Sequence, residues 1–197
     1  EIPEHGFTPD ASFPLIYAEK GLLDFTLTSF EINPVMITGG DAFNAVPSSC
    51  RTPYDPRVID MIRALDYEFS IDGDEIVVHG TSVHAKNADL GTNAIVRCAI
   101  ALYYAGHKSH LVKFIREIAM DPHGVKIFGE QEDPDSGKLM FNIGKIETTS
   151  QKQTISVDIR YPVSVERAFV EESLKRAAHQ YEVVAEVYDA LPSVFID

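Results

Sequence analysis

The sequence predicts an α+β fold: antiparallel sheets with helices packed on them, ferredoxin-like, in two pseudo-duplicated halves. Three observations carry this. Stretches with the two-residue alternation of strands are interleaved with stretches of helical period along the chain. Two segments also repeat one order of elements. VMITGG…AFNAVPSSCRTPYDPRVIDMIRAL…YEFSIDG and LMFNIGKIE…TISVDIRYPVSVERAFVEESL…YEVVAEV both run strand, glycine turn, strand, Tyr-Pro or Tyr-Asp-Pro, helix, strand. Finally, 197 residues with 45% hydrophobic and 24% charged content suffice for one large domain or two small packed ones with a sizeable core.

Taken in order, LLDFTLTSFEI (22–32) alternates and is rich in β-formers, so it is a strand. A short apolar strand at 35–38 stops at Gly39 and Gly40, and AFNAVPSSCR is extended up to Pro53. DPRVIDMIRALD is a helix with Pro56 in its first turn and Val58, Ile59, Ile62 and Leu65 on one stripe. YEFSIDGDEIVVHG is a hairpin with its turn signal at Asp72-Gly73. Helices are expected over 91–105 and 110–120, the second with Leu111, Phe114, Ile115 and Ile118 inward. DPHGVKIFGEQEDPDSGK is polar and turn-rich and is expected to be a long surface loop. A strand, a turn around 150–152 and a second strand follow, then a helix over 165–179 and a closing strand in YEVVAEVYDA.

The formal net charge of −13 argues against nucleic acid or an anionic membrane surface as a partner. No signal peptide and no apolar run long enough to cross a bilayer is present. Cys50 and Cys98 are too few for a disulfide framework or a Cys-rich zinc site, which fits a reducing cytoplasm. The chain opens EIPEHGFTPDASFP, a run that reads as the middle of a loop, so an excised fragment is expected.

No HExxH, P-loop, GxSxG or CxxC motif occurs. His107 and His110 lie where one helix ends and the next begins, a place for capping rather than metal binding. The acids of EQEDPDSG lack calcium-loop spacing and read as a solvated loop. Three residues stand out. His84 precedes a polar loop and a helix start in GTSVHAKNADLGTNA; its bland alternative is a surface histidine. Asn44 occupies a glycine-bounded strand end in GGDAFNAVP, where asparagine ordinarily satisfies a turn. Arg160 ends an apolar strand in DIRYP; such an arginine is usually an ion-pair partner, yet its planar fork also suits a substrate carboxylate.

Taken together, GGDAFNAVP, GTSVHAKNADLGTNA and FNIGKIE…DIRYP, in that order, resemble the lid domain of zinc-dependent aminoacylase/carboxypeptidase-type metallopeptidases. The opening GFTPDASFPLIYAEKG sharpens the resemblance towards the bacterial peptidase V (carnosinase-like) dipeptidases, and the likeness spans nearly the whole chain. It implies residues 1–20 as the tail end of a catalytic domain, 21–80 as the first lid half and 81–197 as the second. It further implies Asp10 as a zinc ligand, His84 as the lid histidine that helps to stabilise the oxyanion, and Asn44 and Arg160 as substrate-holding residues, Arg160 at the C-terminal carboxylate.

The family's His-x-Asp pair, Glu-Glu pair and final His ligand have no counterpart here. One matched carboxylate falls short of the three or more protein ligands that a zinc site needs. The resemblance therefore implies a cytoplasmic dizinc dipeptidase whose remaining ligands lie in a catalytic domain of the same full-length chain. The fragment alone is expected to be inactive and prone to self-association. The alternatives are the lid of a related metallo-carboxypeptidase or amino-acid deacylase, or a non-catalytic ferredoxin-like ligand-binding or dimerisation module.

Overall fold

The computed structural model describes residues 16–196. In chain order the elements are β1 (Ala18–Glu19), β2 (Gly21–Ser29), β3 (Thr38–Gly39), β4 (Ser49–Pro53), α1 (Pro56–Ala64), β5 (Phe69–Asp72) and β6 (Glu75–His79). A 3₁₀ segment at Ala85–Leu90 precedes α2 (Ala94–Tyr104), α3 (His110–Glu117) and α4 (Val125–Phe128). The chain then forms β7 (Glu132–Asp133), β8 (Gly137–Lys138), β9 (Met140–Thr148), β10 (Gln153–Tyr161), α5 (Arg167–His179), β11 (Val184–Leu191) and β12 (Val194–Phe195).

Eight strands form one sheet in the order β11-β2-β10-β9-β3-β4-β6-β5, and every pairing in it is antiparallel. The block β11-β2-β10-β9, with α2 and α3 between β2 and β9 and α5 between β10 and β11, is the ferredoxin-like arrangement. The block β3-β4-β6-β5 carries α1. Read outward from the β3–β9 junction, each half runs hairpin, inner strand, edge strand. The predicted pseudo-duplication is visible in this order, but the halves share one sheet, joined through the single pair Gly39↔Ile146.

The expected division at residue 80 does not follow the sheet. β2 lies within 21–80, yet it hydrogen-bonds to β10 and β11 of the later part. The two lid halves expected over 21–80 and 81–197 therefore share β2's ladder, with the block 38–79 inserted between β2 and its partners.

Local chemistry explains the elements. Asp55 caps α1, accepting from Arg57 N at 2.8 Å, and Pro56 follows it, with Val58, Ile59 and Ile62 buried as expected. Asn93 caps α2 through Ile95 N at 3.0 Å and Val96 N at 3.2 Å, so this helix starts at Ala94 rather than at Gly91. The β5–β6 hairpin pairs Asp72 with Glu75, which makes Gly73 and Asp74 the loop, one residue later than the turn signal. Gly73 adopts φ +59°, a conformation open to glycine at little cost.

One face of the sheet, with Leu23, Phe25 and Leu27 of β2 and Ile155, Val157 and Ile159 of β10, forms the core with α1, α2, α3 and α5. The expected long surface loop is partly structured. It holds α4 and the β7–β8 hairpin, because Phe128 is buried against Phe141, their ring centroids 6.1 Å apart. Asp133 there is buried rather than solvated. Burial works against its charge, but hydrogen bonds from Ser136 and Ser164 outweigh that and hold its carboxyl down at about 2.

Candidate functional site

The opposite sheet face carries the polar residues of the central strands. Across it, Asn142 of β9, Asp158 of β10, Asp24 of β2 and Asp189 of β11 stand in register. Directly paired residues of antiparallel strands share a face, and Arg160, two residues beyond Asp158, shares it too.

A bulge shapes this face. Ser156 pairs with Lys145 but Val157 pairs with Ile143, so Gly144 is the extra residue in β9. The loop after β3 packs directly against it. A Cβ on Gly144 would collide with the carbonyl oxygens of Ala42 and Phe43. Asn142 then fastens the loop: its Nδ2 donates to Phe43 O at 2.9 Å and to Ala45 O at 3.0 Å, the carbonyls on either side of Asn44. Phe43 stacks on Tyr188 of β11 at 4.9 Å with 16° between the rings.

His84 meets this loop through the backbone. Ala45 and His84 form an antiparallel bridge, flanked by Val46 N donating to Val83 O and Ala85 N to Asn44 O, both at 2.9 Å. A second bridge, Thr81↔Thr92, closes the base of the His84 loop. The sequence suggested a polar loop without apolar anchors. Instead Ala85 and Ala88 are buried beneath it, and small side chains give little hydrophobic signal.

The His84 ring is exposed and caps the 3₁₀ segment, Nδ1 accepting from Lys86 N at 3.1 Å. A nitrogen that accepts from a backbone N–H carries no proton, so the neutral ring bears its hydrogen on Nε2. That leaves a fixed donor on the far side of the ring.

Arg160 is held side-on by Asp158, Nε to Oδ1 at 2.9 Å and Nη2 to Oδ2 at 2.8 Å, with Asp158 only 1% exposed. Burial lowers the affinity of this guanidinium for its proton, but the hydrogen bond and charge of Asp158, with the charges of Asp24 and Glu19, together outweigh it. The ion-pair reading is therefore correct, and the outer edge of the guanidinium keeps its remaining N–H groups. Beside this pair lies Asp24, whose Oδ1 has no hydrogen-bond partner. Burial, with Asp158 and Asp189 nearby, pushes its carboxyl up to about 6 despite the opposing pull of Arg160.

Asn44, His84 and Arg160 are thus assembled on one side of the sheet, while Asp10 lies outside the described residues. Sequence reading missed Asn142, Asp158 and Asp24. Two signals were present: a lone amide inside LMFNIGKI, and an acid two residues before Arg160, hence on the same strand face. Clefts of about 300 Å³ beside Asn93 and Asn142, and about 280 Å³ beside Gly40, Ala45 and Ser82, flank the loop. The His107 ring binds Asp55 at 2.9 Å across the ends of α1 and α2, away from these residues in the capping region expected for it. Among the described residues no three His, Cys, Asp or Glu side chains converge as a metal group, and no helix is long and apolar enough to cross a membrane.

Comparison with known proteins adds the family context. "Putative dipeptidase YtjP" of Bacillus subtilis is 28% identical over 203 residues, covering 90% of this chain and 44% of that protein. "Putative dipeptidase MW1694" of Staphylococcus aureus is 23% identical over 224 residues, covering 100% of this chain and 48% of that protein. Both of these relatives carry the name "putative dipeptidase". The resemblance read from the motifs agrees with them, and the chain spans about half the length of these relatives. Among solved structures, aminoacylhistidine dipeptidase from Vibrio alginolyticus aligns with 92% of this chain and 46% of its own, at TM-score 0.42 and 16% identity. No family model matches the chain.

Proposed function

We propose that this chain is the lid and substrate-clamping domain of a cytoplasmic dizinc dipeptidase. The observation that carries the proposal is the assembly of Asn44, His84 and Arg160 on one face, with an outward Nε2–H on His84. The described residues do not themselves supply a zinc site. The two zinc ions of this reading therefore belong to a catalytic domain elsewhere in the full-length chain, with Asp10 as the one ligand contributed from here.

Within that reading each lid residue has a distinct task. When the peptide carbonyl is attacked, negative charge builds on its oxygen, and the His84 Nε2–H donates to it. Asn44 hydrogen-bonds the peptide backbone of the substrate. Arg160, kept charged and oriented by Asp158, presents its free edge to the substrate's C-terminal carboxylate. Since these groups sit on one body and the metals on another, the two must close together before reaction.

A substrate panel on the full-length protein tests this. Chelator-sensitive hydrolysis of dipeptides, with N-acyl amino acids untouched and the 197-residue chain alone inactive, is the expected result. Preference for N-acyl amino acids would favour the deacylase lid. Ligand binding or dimerisation with no hydrolysis in the full-length protein would favour the non-catalytic module.

A further inference from the structure

Asn142 has no assigned task, yet its hydrogen bonding is fully committed. It is 2% exposed, its Nδ2 serves Phe43 O and Ala45 O, and its Oδ1 accepts from Asn93 Nδ2 at 3.3 Å. Asn93 in turn donates to Ile143 O at 2.8 Å and caps α2 with its own Oδ1. A buried amide in a strand disfavours the fold unless each polar atom is satisfied, and an apolar side chain would cost less there. What the amide supplies is two donors aimed at the carbonyls that bracket Asn44. The loop they hold is bridged at Ala45 to His84, through Val46 N–Val83 O and Ala85 N–Asn44 O.

We infer that Asn142 is a positioning residue, which locks Asn44 and His84 into one geometry by anchoring the carbonyls of Phe43 and Ala45 to β9. The inference rests on the reading of Asn44 and His84 as the substrate clamp. Only a carboxamide fits the position. An aspartate has the same shape and keeps an acceptor for Asn93, but it turns its other oxygen against two carbonyl oxygens. Leucine fills the space and offers no donor. Freed from β9, the loop would carry Asn44 and His84 away from a common target, and misplacement on the ångström scale is enough to slow a reaction about a hundredfold.

The test uses the full-length protein with Asn142→Asp, read by steady-state kinetics and by amide hydrogen exchange. Exchange at Val46 and Ala85 is expected to accelerate at least about tenfold, with β4 and β6 unchanged. In parallel, kcat is expected to fall roughly ten- to a hundredfold while KM changes far less. A role confined to stability would lower the melting temperature and leave kcat of the folded fraction intact, and that result overturns the inference. So does unchanged exchange at Val46 and Ala85. If Asn142→Asp fails to fold, Asn142→Leu replaces it: the leucine fills the space but offers no donor to Phe43 O and Ala45 O, and the same outcomes apply. His84→Ala, measured alongside, separates the two levels. If it lowers kcat while a loosened loop does not, the positioning inference alone fails. If it leaves kcat intact, the clamp reading fails and the role of Asn142 falls with it.

Discussion

Replacing Asp24 by asparagine should stabilise the protein, by an amount that depends on pH. The Asp24 carboxyl is raised from 3.8 to about 6 by burial and by the neighbouring Asp158 and Asp189, with Arg160 acting in the opposite sense. The folded state therefore binds this proton more tightly than the unfolded chain does, and stability falls as pH rises from about 4 to about 6. Above that range the carboxylate is ionised in both states, and the folded protein carries the whole penalty. A shift of about two units, at 1.36 kcal/mol each, sets a ceiling of about 3 kcal/mol.

Partial contact with solvent reduces this to about 1–2 kcal/mol. For a chain of this size that is a rise in melting temperature of several degrees, at about 2–4 °C per kcal/mol. Urea unfolding of parent and Asp24→Asn across about pH 4 to about pH 8 reads it directly. The curves should converge near the acid end and separate above about pH 6. A variant that is no more stable than the parent at the alkaline end would refute the reasoning, since it would mean that the charged Asp24 helps to hold Arg160 rather than opposing the fold.

Two further outcomes follow from the same face. Arg160→Lys in the full-length protein should raise KM roughly tenfold with little change in kcat, because the charge survives and the planar edge does not. Dipeptides with amidated C-termini should not distinguish that variant from the parent. Gly144→Ala should cost about 1–3 kcal/mol in denaturant titration, because the added methyl falls on the Ala42 and Phe43 carbonyl oxygens. An unchanged midpoint would show that the loop does not bear on β9.

Most elements were legible because their signals are local. The Asp55-Pro56 start and apolar stripe of α1 and the alternation of β2 each lie within a dozen residues of sequence. Where β2 pairs was not legible, because its partners β10 and β11 lie more than a hundred residues away and alternation does not name a partner. The 121–138 stretch misled for a related reason: its anchors, Phe128 and Asp133, are single residues in a polar run, and each is secured by distant groups, Phe141 and Ser164. At the site, Asn44, His84 and Arg160 could be singled out as unusual residue types in their settings. What orients them could not, because the bonds of Asn142 to Phe43 and Ala45 span about half the chain.

The central claim is that His84 acts on the reaction and not on the fold. Its ring is exposed, touches the rest of the protein mainly through the Lys86 N–H, and offers Nε2–H outward. The most direct measurement is steady-state dipeptide hydrolysis by full-length His84→Ala, with its melting temperature recorded beside the parent's. Loss of one donor to a developing oxyanion is expected to lower kcat by roughly a hundred- to a thousandfold, about 2.7–4 kcal/mol, with KM changed little and the melting temperature nearly the same. A His84→Ala enzyme that keeps its kcat, or that loses activity only by unfolding, would contradict the account.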